Sequence, residues 1–378
     1  MKTVSISTAD RKWLLSNYGG MLQHFALREV LKEMGFAPYR IEAGRPRGEI
    51  KAFLRPLKDL CNNLLALVRP SRKKRPLRLF YYWLHRIRFI CDYRKLVGSL
   101  FEDQRRQRFA AIVGGGQAWS IYCQNRADLY WEDDDSPMRR IAYSVSSAWI
   151  TLKDNDAWKL RVQAACIKAD AVSLRENAGV SLCASLLPGK SFCTTLDPVF
   201  LMTAQEYGRF LPERKIFTRK TVFFYFVEVH DREYIDGGKL CKFAKEMGCE
   251  CRMTGIQGAE FYVPCGMEIN PGPVDFLRCC RDAECIVTNS FHGAVLALVF
   301  GKNFLFVGQR DPNGTGSRNQ RQMELLHEFN LADRALDIEA DVHEMVAAME
   351  RKIDWGKIFE MLDKRRTDSI GWLRSALD

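Results

Sequence analysis

The sequence predicts an α/β chain built in two halves, and three observations carry that expectation. Short apolar runs, polar or glycine-containing loops and helical patterns recur in that order along its 378 residues, which is the alternation of parallel strands with connecting helices. A hydrophobic share of 47% with 27% charged residues belongs to an ordinary folded chain and excludes a disordered or collagen-like one. No apolar run approaches the roughly 20 residues of a membrane-spanning helix; the densest, Ala294 to Phe300, has seven. The opening Met-Lys-Thr-Val-Ser-Ile-Ser lacks the apolar centre of a secretion signal.

Lys2 to Ser7 reads as the first strand. A helix starts near Gly20, where Leu27, Val30, Leu31 and Met34 recur at helical spacing, and Gly35 ends it. Phe109 to Val113 is a strand running into Gly114, Gly115 and Gly116, and Arg140 to Ser144 is another. Asp156 to Ile167 is helical, Ala171 to Leu174 is a strand ending at Arg175, and Gly179 to Leu187 is a helix; Ser191 to Pro198 closes the first half. Thr221 to Val229 opens the second half as a strong β run, followed by a helix from about Arg232 to Met247. Short strands near Cys251 and Phe261 precede a helix from Pro273 to Cys280. Cys285 to Thr288 is a strand, Asn289 to Gly293 a loop, Ala294 to Phe300 a helix and Asn303 to Val307 a strand. From Asp341 onward the chain reads as helices, and the two halves join near residues 200–220.

The charge is local. Of a net charge of +11, residues 45–108 carry 18 Lys or Arg against five acids, so the rest of the chain is slightly negative. Within that basic, helical-looking insertion, Phe80, Tyr81, Tyr82, Trp83 and Phe89 alternate with Arg78, Arg86 and Arg88. Aromatic rings beside arginines suit an anionic membrane surface. A helix packed on the core with a solvated basic face fits the same residues. Nucleic acid is the weakest reading, because no helix-turn-helix, finger or RNA-binding signature accompanies the patch. Thirteen cysteines without a secretion signal point to a reducing, cytoplasmic setting. Neither Cys249 with Cys251 nor Cys279 with Cys280 has a second ligand pair at zinc spacing, so no metal is expected.

Ligands of open α/β sheets bind beyond the carboxyl ends of the strands, and four such loops are chemically unusual. Asn17-Tyr18-Gly19-Gly20 precedes a helix, where backbone N–H groups favour an anion; a plain Gly-Gly turn is the alternative. Gly114-Gly115-Gly116-Gln117 ends a strand but continues into Trp119, which departs from both the dinucleotide fingerprint and the P-loop. Arg175 ends a strand, placed to grip a phosphate or carboxylate unless it merely pairs with Glu176. His292, with Asn289 and Ser290 before it, opens an apolar helix, where it could bind an anion or move a proton.

These motifs together resemble the polysaccharide pyruvyl transferase family over nearly the whole chain. N-Y-G-G-M-L-Q-H-F-A-L at residues 17–27 is similar to the family's N-Y-G-x-x-L-Q-x-x-A-L, and Gly114 to Trp119 matches its G-S-D-Q-x-W in part. Ala142-Tyr143-Ser144 resembles its S-Y-A-A-S-F-G strand, and Ser173 to Gly179 matches S-x-R-E-x-x-G. Leu196-Asp197-Pro198 matches L-D-P, Ile286 to Gly293 is like I-T-N-S-F-H-G, and Arg318 and Arg321 before Leu325-Leu326 resemble S-R-I-x-x-L-L.

The resemblance implies two Rossmann-like domains facing a central cleft, a glycosyltransferase-B-like fold. The expected domains are residues 1–205, carrying the basic insertion, and 206–340, with C-terminal helices 341–378 packing back across the cleft. It implies transfer of pyruvate from phosphoenolpyruvate, a co-substrate, to a glycan or lipid-linked oligosaccharide at the inner face of the membrane, with no other cofactor. Arg175 and His292 would be catalytic. Asn17, Tyr18, Gly19, Gly20, Gly115, Gly116, Gln117, Asn289, Ser290, Arg318 and Arg321 would bind substrate. The family's G-S-D-Q carboxylate is Gly116 here, which leaves Glu176, Asp197 and His24 as acid–base candidates. A nucleotide-sugar glycosyltransferase of the same fold, or a non-catalytic member of a glycan-assembly complex, remains open.

Overall fold

The structure, a computed structural model, describes residues 1–8, 17–40, 91–92, 96, 108–120, 138–147, 155–227, 236–256, 269, 271–308 and 319–378. Two parallel sheets organise them. The first contains β1 (Thr3–Ser7), β2 (Ala37–Arg40), β3 (Ala110–Gly114), β4 (Arg139–Val145), β5 (Ala171–Leu174) and β6 (Cys193–Thr194), in the order β2-β1-β3-β4-β5-β6. The second contains β7 (Thr221–Val227), β8 (Glu250–Ile256), β9 (Cys285–Thr288), β10 (Asn303–Val307) and β11 (Ala335–Leu336), in the order β11-β10-β9-β7-β8. Helices α1 (Tyr18–Glu33), α2 (Asp156–Lys168), α3 (Asn177–Leu186) and α4 (Ala204–Gly208) accompany the first sheet. Helices α5 (Gly237–Glu246), α6 (Pro273–Asp282), α7 (Phe291–Val299), α8 (Gln320–Glu328) and α9 (Val342–Glu350) accompany the second, and α10 (Trp355–Leu377) ends the chain.

Strand β7 shows why the second sheet is buried on both faces. Its residues Thr221 to Phe226 are all buried. Phe223 and Tyr225 enter one apolar cluster, whereas Val222, Phe224 and Phe226 enter another. The period of two thus divides one continuous hydrophobic run between two layers of helices.

Helix α1 joins the halves. It starts at Tyr18, slightly earlier than its apolar spacing predicts, because the Asn17 carboxamide accepts the Gly20 N–H at 3.1 Å and caps it. It ends before Gly35, whose φ of +86° is the left-handed conformation that stops a helix. Tyr18, Met21, Leu22 and Phe25 pack in one cluster with Phe223, Tyr225, Phe276 and Leu296 of the second half. Helix α10 makes a second connection. Ile358 and Leu362 join that shared cluster, whereas Leu373, Ala376 and Leu377 pack with Val4, Ile6 and Ile112.

Several expectations change. The helix expected from Ala294 begins at Phe291, so His292 lies in its first turn rather than in a loop. Strands β2 and β11 and helices α4 and α8 were not anticipated; they are short, and α8 carries only three buried residues. The strand expected near Phe261 and nearly all of the basic insertion lie outside the described residues. Among the described residues, no helix is long and apolar enough to cross a membrane.

Candidate active site

Strands β3, β4 and β5 end side by side, and irregular backbone there aims their side chains. Ser144 adopts φ +48°, uncommon for a residue with a side chain, where the β4–β5 register shifts between Ala142 and Val145. A bulge of this kind re-aims the end of a strand. Just past it, Ser146 donates its hydroxyl to Glu176 Oε1 at 2.7 Å and accepts from an Arg175 terminal nitrogen at 2.8 Å.

Arg175 is the hub. Its Nε donates to Glu176 Oε1 at 2.8 Å and a terminal nitrogen to Asp197 Oδ2 at 3.1 Å, and its guanidinium lies 4.2 Å from the centre of the Phe291 ring. Burial works against its charge, but Glu176 and Asp197 more than offset this and hold its pKa above the usual value. The pairing of Arg175 with Glu176, the alternative to a substrate contact, is present, with Asp197 and Ser146 as further partners. All three guanidinium nitrogens already serve protein acceptors.

Asp197 joins this network to the other half. Its Oδ2 accepts from Gln23 Nε2 at 2.6 Å and lies 3.7 Å from His292 Nε2, and its Oδ1 accepts the Val199 N–H at 3.1 Å. Burial alone would raise its pKa. The opposing interactions with His292, Arg175 and the Val199 N–H prevail and hold the carboxyl well below the usual carboxylate range. His292 Nε2 is buried and has no hydrogen-bond partner among the described residues. A protonated His292 would therefore find its counter-charge already in place.

The glycines serve close approach within the protein. A Cβ on Gly19 would stand 2.0 Å from His292 Nδ1, so only glycine lets α1 meet that ring. One on Gly115, already at φ +70°, would stand 2.9 Å from Gln23 Cδ. Gly116, at φ +59°, offers its carbonyl to the Ser146 N–H, and the half-buried Gln117 forms the next turn, its carbonyl accepting from Ser120.

Other expected substrate residues have structural uses. Tyr18 is fully buried, stacks on Phe276 at 3.9 Å between centroids and donates its hydroxyl to the Pro271 carbonyl at 2.5 Å. Asn17 caps α1, with Gly20 as the donor. The Asn289 carboxamide exchanges two hydrogen bonds with the backbone of Val227, continuing the β7 ladder past its end. The side chains of Asn17, Tyr18 and Asn289 are thus engaged by the fold. Ser290 is buried at the start of α7, where no side chain caps the helix. His24 is buried within α1, and Arg321 lies half-buried in the first turn of α8; Arg318 is outside the described residues.

Sequence reasoning missed three members. Gln23 follows Gly19 by four residues, which places both on one helical face. Ser146 stands just past the β4 bulge. Glu324 of α8 accepts from Gln320 Nε2 at 2.8 Å, and burial together with the charge of Glu176 raises its pKa above the ordinary carboxyl value against that hydrogen bond.

The family model described as Polysaccharide pyruvyl transferase matches residues 17–311. UDP-N-acetylglucosamine 2-epimerase from Rickettsia bellii is 11% identical, with 100% of this chain and 97% of that one covered and a TM-score of 0.52. The UDP-GlcNAc 2-epimerase structure from Methanocaldococcus jannaschii is 11% identical over 93% of each chain, with a TM-score of 0.50. At such identity the likeness shows the fold alone: two α/β halves of glycosyltransferase-B type. No curated protein matches the chain.

Proposed function

The chain belongs to the polysaccharide pyruvyl transferase family, and from that premise we propose that it moves pyruvate from phosphoenolpyruvate onto a sugar of a cell-surface polysaccharide or its lipid-linked precursor. The reaction closes a cyclic ketal and releases phosphate. The observation that carries this reading is His292, at the start of uncapped α7, with its Nε2 3.7 Å from the fixed carboxylate of Asp197.

The chemistry assigns roles to these groups. The phosphate of the donor meets the N–H groups that open α7, with His292 protonating it as it leaves. Asp197 steadies the imidazolium, and Gln23 and Arg175 hold Asp197 in place. Arg175 is a positioning residue in this scheme, since its charge is matched by two carboxylates. The basic segment, residues 45–108, supports contact with an anionic membrane surface, where a lipid-linked acceptor would be presented.

Thermal-shift titration with phosphoenolpyruvate, alongside nucleotide sugars, tests the donor. A ligand at about 100 times its Kd stabilises by roughly 2.7 kcal/mol. The expected result is a shift with phosphoenolpyruvate that is lost in His292→Gln. A shift with nucleotide sugars alone would overturn the reading in favour of a glycosyltransferase.

A further inference from the structure

Helix α2 presents apolar side chains where a surface helix ordinarily presents charge. Its inward face, Trp158, Val162, Ala165 and Cys166, is buried in one cluster with Val145, Val172 and Leu174 of the first sheet. At 3.6 residues per turn, the direction pointing straight away from that face falls on Leu160, Ala164 and Ile167, with Ala157 one turn before Leu160. All four are exposed, Leu160 at 65% and Ile167 at 64%. The other large apolar side chains exposed among the described residues have different settings. Met1 opens the chain, Phe210 meets Phe25 edge-on at 4.9 Å between centroids, and Phe359 stacks on Trp355 at 5.7 Å. Single exposed apolar residues are ordinary, whereas a contiguous stripe marks an interaction surface.

Charge and area choose the partner. Helix α2 carries Lys159, Arg161 and Lys168 against one acid, Asp156, and Asp170 follows just past its end. The helical period puts Lys159 on one flank of the stripe and Arg161 and Lys168 on the other. Lys159 Nζ lies 3.0 Å from Asp156 Oδ1, the Arg161 guanidinium lies 4.7 Å from the centre of the Trp158 ring, and Lys168 is exposed. Outside residues 45–108 the chain as a whole is slightly negative, so this positive excess is local. A second copy of the chain is the rival occupant. Two large and two small side chains fall well short of the roughly 800 Å² per partner that a stable interface buries. A bilayer asks for less: the tips of a few aliphatic side chains between its headgroups, with cations beside them to meet lipid phosphates.

We propose that α2 is a membrane-docking face, with Leu160 and Ile167 entering the headgroup layer of an anionic bilayer and Lys159, Arg161 and Lys168 lying against its phosphates. This face is separate from the basic segment at residues 45–108 and belongs to the packed core of the first half. Strand β5 follows α2 directly and ends at Arg175, so docking through α2 orients the candidate site relative to the lipid surface. The inference does not depend on the donor chemistry; it gives the side from which a lipid-linked acceptor would be presented.

The test floats the full chain with vesicles of phosphatidylcholine mixed with phosphatidylglycerol, and with vesicles of phosphatidylcholine alone. Leu160→Ser combined with Ile167→Ser removes the stripe, and Lys159→Gln combined with Lys168→Gln removes two of its flanking cations. Leu160 and Ile167 are largely exposed, so an unchanged melting temperature is the folding control. The wild type is expected to bind the mixed vesicles, less so as salt is added. The apolar variant should lose about tenfold or more in partition coefficient. The charge variant should lose about tenfold on the mixed vesicles and nothing on phosphatidylcholine alone. Wild-type partitioning of the apolar variant overturns the proposal, and so does a wild-type protein that stays off the mixed vesicles. Light scattering in the same buffer covers the rival: a wild-type dimer that the apolar variant turns into a monomer overturns the proposal in favour of a second copy. Phosphoenolpyruvate is absent throughout, so failure here leaves the pyruvyl-transfer reading intact.

Discussion

The two edges that meet at the site are built on different principles. On the first half, Arg175, Glu176 and Asp197 have side-chain exposures of 1–4% and bind one another and Ser146 in a closed network. On the second half, the His292 side chain is 15% exposed with its Nε2 unpartnered among the described residues, and Glu324 is half-buried and accepts from the neutral Gln320 amide. One edge fixes charge in place; the other presents groups able to exchange protons. The protein thus separates holding from reacting, and substitutions on the two edges should fail differently.

The largest stability loss is expected from Asp197→Ala, which leaves the buried guanidinium of Arg175 and the Gln23 amide without their shared acceptor. Removing one partner of a buried ion pair costs about 3–5 kcal/mol, readable by urea denaturation. A loss within about 0.5 kcal/mol, the range of ordinary surface changes, would break the comparison at its first edge. His292→Gln should do the reverse. Activity falls by about 10²–10⁴-fold, while stability stays within roughly 0.5 kcal/mol, because among the described residues the lost group has no hydrogen bond to forfeit at Nε2.

Gly19→Ala sits between the two edges. The added methyl must displace His292, whose Nδ1 would be 2.0 Å away. Overpacking of this kind costs about 1–3 kcal/mol, and activity should fall with it. Tyr18→Phe removes only the hydroxyl donated to Pro271. Its cost of about 0.5–1.5 kcal/mol measures how firmly α1 is tied to the second half.

Acid sharpens the same comparison. Asp197 has a lowered pKa in the folded state, so its contribution to stability is fully present above the unfolded value of about 3.9. It is lost as the pH falls below that value toward the folded pKa. Melting temperature measured across this window should fall less steeply in Asp197→Asn than in the wild type. Equal slopes would remove Asp197 from the acid response.

Much of this was legible in the chain. Continuous apolar runs such as Thr221 to Val227 and Cys285 to Thr288 announce strands buried on both faces, and their ends locate the site. Arg175, Glu176, Asp197 and His292 were all singled out and are brought together. What sequence could not supply is how each polar group is used. Asn289 looks like a ligand-binding residue but completes a strand ladder. Gly19, beside a helix start that favours an anion, and Gly115 admit the side chains of His292 and Gln23. Long-range partners made the difference: Gln23 and Asp197 are separated by 174 positions, and no local pattern links them. Glu324 escaped because it stands at an unspecified position of the motif that Arg318, Arg321 and Leu325-Leu326 resemble.

The most direct test of pyruvyl transfer is to supply phosphoenolpyruvate labelled with carbon-13 at its central carbon, together with a lipid-linked glycan extract, and follow both products by NMR. The label is expected to move into a ketal on the glycan with one phosphate released per ketal, and His292→Gln should stop both together. Phosphoenolpyruvate left intact while a nucleotide sugar is consumed under the same conditions would contradict the account.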